Sequence, residues 1–215
     1  FKAGTPDEIA IQEEVNTFKG VDRIIRHAFE YAKTNRLTKV CMSDKSNAMP
    51  QGHGLWQRVF ASVSAEYPDI KATHLYIDAL AMFMVKDPGQ FEVIVTTNMY
   101  GDILTDLTAE LSGSIGLGGS LNAGIDHAMG QAAHGSAPDI AGKDLANPFS
   151  LILSASLLLA WPGKRRRLPR FAEVAAAIDQ SIENAIKAGE ITRDIGGKLG
   201  TKETGGALAA RLTAA

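Results

Sequence analysis

Between residues 19 and 113, short β-branched runs alternate with helical periods, and that alternation restricts the chain to few folds. The segment 19–36 sets Val21, Ile24, Ile25, Ala28, Phe29 and Ala32 at helical spacing, so one apolar stripe faces a core. "LTKVCMSD" (37–44) reads as a strand, and "GLWQRVFASVSAEY" (54–67) as a second amphipathic helix stopped by Pro68. "IKATHLYID" (70–78) is a strand, followed by a short helix over 79–88. "FEVIVTT" (91–97) is nearly all apolar, which suits a sheet buried on both faces, and "GDILTDLTAELSG" (101–113) is a helix ended by glycine. Such alternation defines the α/β class with a parallel or mixed sheet. Residues 4–18, with an alternating centre, read as one further strand.

After residue 113 the text changes. Residues 112–124 are Gly-rich, and 132–148 have no clean period. Long irregular loops inside compact domains often carry function. "SLILSASLLLAW" (150–161) is too short for a membrane span and reads as a buried helix. "KRRRLPR" (164–170) reads as a solvated face, and 171–190 as a last strong helix. A boundary near 112 separates an α/β unit (1–112) from a unit of loops and helices (113–215). The net charge of −2 over 215 residues supplies no general pull toward nucleic acid or an anionic membrane. With one cysteine, Cys41, the chain holds no internal disulfide, which fits a reducing, cytoplasmic setting. The chain opens at Phe1 in mid-pattern, so a further segment upstream is expected.

Asp102 and Asp106, in "NMYGDILTDL" (98–107), stand one helical turn apart on one face. Like charges at that spacing cost an isolated helix roughly 0.2–0.5 kcal/mol. A first-turn carboxylate favours the helix dipole, which accounts for Asp102 and leaves Asp106 without a reason. A shared hard cation, Mg²⁺ or Mn²⁺, accounts for both. On local grounds the two readings stand level. Asp78 ends a strand, where a lone Asp usually caps the next helix. Lys45 lies just past another strand end, ordinarily a solvated position. Beside a metal ion a lysine gives up its proton more readily and becomes fit for proton transfer. "HGSAPDIAGKDLANP" (134–148) is rich in Gly and Ala, so a ligand can approach its backbone, unless it is a plain surface loop turning at Pro138 and Pro148. In the ligand reading Asp139 accepts from a ribose diol and Asn147 pairs with an amide-bearing ring. No G-x-G-x-x-G follows any expected strand, so a Rossmann site has no support.

Three segments, "NMYGDILTDLTAELSGSIGL" (98–117), "HGSAPDIAGKDLANP" (134–148) and "SDKSN" (43–47), together resemble the β-decarboxylating dehydrogenases, the isopropylmalate, isocitrate, tartrate and D-malate dehydrogenase family. "TRDIGGKLGTKE" (192–203) is similar to that family's C-terminal signature. The resemblance implies a two-domain α/β fold unlike the Rossmann fold, here without its N-terminal segment and substrate-binding arginines. Residues 1–112 would be the smaller, dimer-forming domain, and 113–215 the returning half of the larger one. It also implies NAD or NADP, a divalent metal and a homodimer with shared sites. Asp102 and Asp106 would hold the metal, with Asp78 supplied by the second subunit. Lys45 would be the proton-transfer residue, also reaching across the dimer, and Asp78 would count among the catalytic residues as well. Asn47 would meet the nicotinamide end. His134, Gly135, Ser136, Ala137, Asp139, Ile140 and Asn147 would form the adenosine loop, with a carboxylate at 139 favouring NAD over NADP. The substrate would be a small malate-type 2-hydroxy acid.

The chain departs from the family pattern in two places. Asn16 stands where many members carry a tyrosine that assists the final protonation, and the loop opens "GQAAHGSAPD" where many read "EPVHGSAPD". A rival expectation is a non-catalytic dimerising fragment or divergent homologue. An open reading frame extended upstream with paired arginines favours the enzyme, and a native start near Phe1 favours the rival.

Overall fold

In the computed structural model, which describes residues 1–213, the first helix, α1 (Phe18–Thr34), starts where Thr17 accepts a hydrogen bond from the N–H of Gly20. Its buried face is Val21, Ile25, Ala28, Phe29 and Ala32, the stripe expected from the period. β1 (Lys39–Asp44), β2 (Lys71–Tyr76) and β3 (Val93–Val95) pair in parallel in the order β2-β1-β3. The helices between them are α2 (Gly52–Ser64) and α3 (Ile77–Lys86), and α4 (Asn98–Leu111) follows β3.

Successive side chains of β1 serve opposite faces of the sheet. Val40 and Met42 join Ile25, Phe29, Val59 and Val63 of α1 and α2. Cys41, on the other face, packs with Leu80 and Met84 of α3 and Leu104 of α4. Each fully buried residue of this kind stabilises the fold by about 1.5–3 kcal/mol. The strand buried on both faces is therefore β1, at the centre. The apolar run 91–97 forms only the short edge strand β3, because the sheet has no fourth strand beyond it among the described residues. Residues 4–18 also differ from expectation. They form no strand, and Ile9, Ile11 and Val15 are exposed, since their alternating pattern meets no sheet edge among the described residues.

Contacts divide the chain into two units, Phe1–Leu104 and the part from Thr105 on, so the seam falls inside α4. In the second unit, β4 (Gly119–Ala123) and β5 (Ala128–Ala132) form an antiparallel hairpin that the Gly-rich text concealed. A Cβ at Gly130 would lie 2.7 Å from the Ser154 carbonyl oxygen, so the glycine is what lets a helix lie directly on the strand. That helix is α5 (Phe149–Arg165), followed by α6 (Pro169–Lys187) and α7 (Thr201–Thr213). Phe149, Ile182, Ala185 and Leu208 form the core between them.

α5 inverts the expected pattern: Ser150, Ser154 and Ser156 are buried while Leu151, Leu157 and Leu158 are exposed. The Ser150 hydroxyl accepts from the Ala133 N–H at 3.0 Å and donates to the Gly118 carbonyl at 2.6 Å. Ser154 accepts from the Ser120 N–H and donates to the Gln131 carbonyl. The two hydroxyls thus satisfy main-chain groups of both hairpin strands, which leucines cannot do. The basic run 164–170 is exposed, with Arg165 and Arg166 lying 5.9 and 5.7 Å from the Trp161 ring centre. No helix among the described residues is long and apolar enough to cross a membrane.

Candidate active site

The parallel register sets Asp44, the last residue of β1, opposite Tyr76, the last of β2. The residues that follow each strand therefore emerge side by side at the carboxyl edge of the sheet, where ligands bind in open α/β folds. Beyond β1 the chain turns at once. The buried Asp44 carboxylate accepts from both the N–H and the hydroxyl of Ser46, and the Lys45 carbonyl accepts from the N–H groups of Ala48 and Met49. The turn presents Lys45 and the exposed Asn47. Beyond β2, Asp78 stands in the first turn of α3. Lys45 Nζ lies 2.9 Å from Asp78 Oδ1, so the structure joins two residues that sequence had placed only at separate strand ends. The hydrogen bond from Lys45 holds the Asp78 carboxyl below the usual carboxylate range.

Asp102 and Asp106 lie one turn apart on α4, both exposed, while Leu104 and Ala109 carry that helix's buried face. No three His, Cys, Asp or Glu side chains among the described residues converge to hold a metal. Asp102 and Asp106 each present carboxylate oxygens to solvent on α4. That chemistry fits a hard cation which keeps several waters and takes its remaining ligands from elsewhere.

The second unit contains a cavity of about 760 Å³. His134, Gly135, Ser136, Ala137, Ile140 and Asn147 line it, so most of the string that stood out in the sequence gathers around one space. Asp139 is exposed and lies outside the lining. The carboxylates that face the cavity are Asp144 and Asp194. Ala137 has φ 43°, a left-handed conformation that non-glycine residues hold at a cost of about 1–3 kcal/mol and that recurs at ligand clamps. The Asn147 amide is held at both atoms, its Nδ2 donating to Asp194 at 3.0 Å and its Oδ1 accepting from the Phe149 N–H at 2.9 Å.

Asp194 also accepts from Ser114 at 2.6 Å and Thr192 at 2.5 Å. Desolvation pushes its carboxyl up, but the three side-chain hydrogen bonds outweigh it and leave the group below the usual range. Asp144, at φ 54°, accepts from the Lys202 N–H at 3.0 Å, and Thr201 donates to the Ala146 carbonyl at 2.5 Å, so the loop is tied to the start of α7. Asp194, Ser114 and Asp144 escaped the sequence reading. Asp194 lies inside the quoted "TRDIGG" beside its donor Thr192, but its other two side-chain donors, Ser114 and Asn147, lie far away in the chain and left no local signal.

The family model for isocitrate/isopropylmalate dehydrogenase matches residues 2–208. The chain belongs to that family. It is 42% identical to the 3-isopropylmalate dehydrogenase of Rhodococcus opacus over 215 residues, covering 99% of this chain and 60% of that protein. It is 38% identical to the 3-isopropylmalate dehydrogenase of Methanothermobacter thermautotrophicus over 205 residues, covering 95% of this chain and 60% of the relative. Among solved structures it matches the isocitrate dehydrogenase from Methylococcus capsulatus with a TM-score of 0.86 and 38% identity, over 93% of this chain and 58% of that one. The TT0538 protein from Thermus thermophilus matches with a TM-score of 0.87 and 40% identity, over 97% and 41%. The fold is thus the two-domain isocitrate/isopropylmalate dehydrogenase fold, as the three segments implied. The chain spans about 60% of the length of the curated relatives named here.

Proposed function

We propose that this chain provides the proton-transfer, metal-holding and adenosine-binding parts of a dehydrogenase. That enzyme oxidises a malate-type 2-hydroxy acid with NAD and decarboxylates the product. The observation that carries this reading is the 2.9 Å Lys45–Asp78 pair at the carboxyl edge of the parallel sheet, where α4 with Asp102 and Asp106 begins. Both curated relatives are named 3-isopropylmalate dehydrogenase, which supports 3-isopropylmalate as the substrate to test before tartrate and D-malate. When bound, NAD would supply a hydride acceptor, and Mg²⁺ or Mn²⁺ would supply the Lewis acidity that draws electrons toward the newly formed keto oxygen as CO₂ is lost.

The chain's own residues do the rest. Asp102 and Asp106 hold the cation, and Asp78 joins them from the second subunit. Lys45, kept in place by Asp78 within one chain, moves the proton at the hydroxyl being oxidised, and Asn47 meets the nicotinamide end. His134, Gly135, Ser136, Ala137, Ile140 and Asn147 take the adenosine. A 2′-phosphate would meet the carboxylates of Asp144 and Asp194, with Asp139 on the same loop, and this like-charge contact favours NAD over NADP. The exposed apolar residues Met82 and Val85 of α3, with Met99 and Ile103 of α4, support a homodimer through these helices. Residues 1–112 and 113–215 would then act as the dimer-forming and cofactor-binding domains of a cytoplasmic enzyme.

The test uses full-length protein. Steady-state rates with 3-isopropylmalate, tartrate and D-malate are measured with each cofactor, with kcat/KM expected to favour NAD. Lys45→Met and Asp106→Asn are expected to be inactive alone and to recover part of the activity when mixed, because a heterodimer contains one intact composite site. No turnover of any of the three acids refutes the reading. A dead mixture with heterodimers demonstrated refutes the shared site.

A further inference from the structure

The main-chain N–H of Lys45 bonds to a side chain instead of to backbone, donating to Nδ1 of His53 at 2.7 Å. The other ring nitrogen, Nε2, lies 3.2 Å from Oε1 of Glu14. His53 is 1% exposed, at the start of α2, with Tyr100 edge-on at 5.7 Å between ring centres. A main-chain donor aimed at Nδ1 requires that nitrogen to accept, so the neutral ring carries its proton on Nε2 and donates it to Glu14. Glu14 is held in turn. Asn16 Nδ2 donates to the same Oε1 at 3.0 Å, and Asn16 Oδ1 accepts from the indole N–H of the buried Trp56 at 2.8 Å. The approach is close: a Cβ at Gly52 would lie 2.6 Å from Asn16 Nδ2. The hydrogen bonds run without a break from Trp56 in the core, through Asn16, Glu14 and His53, to the backbone of Lys45.

We infer that His53 is a positioning residue for Lys45, with Glu14 and Asn16 as its support; this rests on the reading of Lys45 as the proton-transfer residue. Among the described residues, the side-chain partner of the Lys45 ammonium is Asp78, itself exposed on another element. Fixing where that long side chain starts is therefore the task of the backbone bond. A misplacement of about 1 Å at a catalytic group lowers turnover by about 10²-fold. The segment before α1, which makes no regular structure of its own, acquires a task through this link.

The experiment reads the hydrogen bond and the reaction separately, on full-length protein. Hydrogen exchange at the Lys45 amide, measured without substrate, is expected to be slow in the native protein and much faster in His53→Leu, which fills the ring's space and removes the acceptor. His53→Asn, whose Oδ1 stands near the place of Nδ1, is expected to restore slow exchange. Glu14→Ala, a change at a partly exposed side chain that the core does not depend on, is expected to raise exchange at Lys45 and decides the question if His53→Leu does not fold. In turnover, kcat is expected to fall by about 10²-fold in His53→Leu and to recover in His53→Asn, with the KM for NAD unchanged in both. Unchanged Lys45 exchange in His53→Leu or, if that variant does not fold, in Glu14→Ala overturns the inference, as does a kcat loss in His53→Leu that His53→Asn fails to rescue. Native protein that shows the exchange pattern and turns over none of the three acids overturns the proposed function instead.

Discussion

Removing the hydroxyl of Ser150 strands two main-chain groups where the hairpin passes into the loop around the cavity. Ser150 has no exposed surface; its oxygen accepts from the Ala133 N–H at 3.0 Å and its proton goes to the Gly118 carbonyl at 2.6 Å. In Ser150→Ala the Ala133 N–H loses this acceptor. An unsatisfied buried donor costs about 1–3 kcal/mol. Ala133 is only half-buried, so the lower half of that range applies to its N–H, and the lost bond to Gly118 adds roughly 0.5–1.5 kcal/mol. The sum is about 2.5 kcal/mol, which for a chain of this size lowers Tm by about 5–10 °C. The assay is thermal unfolding by calorimetry, with Leu151→Ala as the control. Leu151, the next residue, is 58% exposed, so its truncation is expected to stay within about 0.5 kcal/mol. On hydropathy alone the order would be reversed. If Leu151→Ala costs as much as Ser150→Ala or more, the serine face is not the buried face and the account of α5 fails.

Replacing Asp102 with Asn is expected to weaken Mn²⁺ binding severely in titration calorimetry on full-length protein, since a hard cation with few protein ligands depends on each charge. Unchanged affinity removes Asp102 from the metal site. Asp194 is expected to make stability depend on pH. Its folded-state pKa lies below the unfolded value, so its contribution is fully present above about pH 4 and is lost as the pH falls through the folded value. The stability gap between the native chain and Asp194→Asn in urea unfolding is therefore expected to be full at neutral pH and to close in acid. A gap that does not change with pH contradicts the hydrogen-bonded carboxylate.

The helices with a strong period were legible because the relevant information is local. The stripe of α1 is a matter of spacing alone, and Val21 through Ala32 occupy the buried face it predicts. The hairpin 119–132 was hidden because glycine has low strand propensity, and here it is required by the helix lying on it. α7 was hidden because Gly205 and Gly206 lower helix propensity in mid-helix. Residues 4–18 misled in the opposite sense, with a strand's alternation and, among the described residues, no neighbouring strand to pair with. The site divides in the same way. The 134–148 string and the Asp102–Asp106 spacing could be read directly, whereas the hydrogen bonds that tie Asp144 and Asp194 to distant residues and the Glu14–His53 link could not.

Local pattern therefore determined the class of fold, the parallel strand-and-helix alternation, the helical spacing of the paired aspartates and the family to which the chain belongs. Each of these is written in residues a few positions apart, where propensity and period act. The tertiary structure alone decided that β1 is the central strand, that α5 buries serines in place of leucines, and that Lys45 meets Asp78 while its backbone rests on His53. These outcomes depend on which main-chain groups lack a partner once distant segments come together. A buried donor or acceptor has to be satisfied by whatever lies beside it in space.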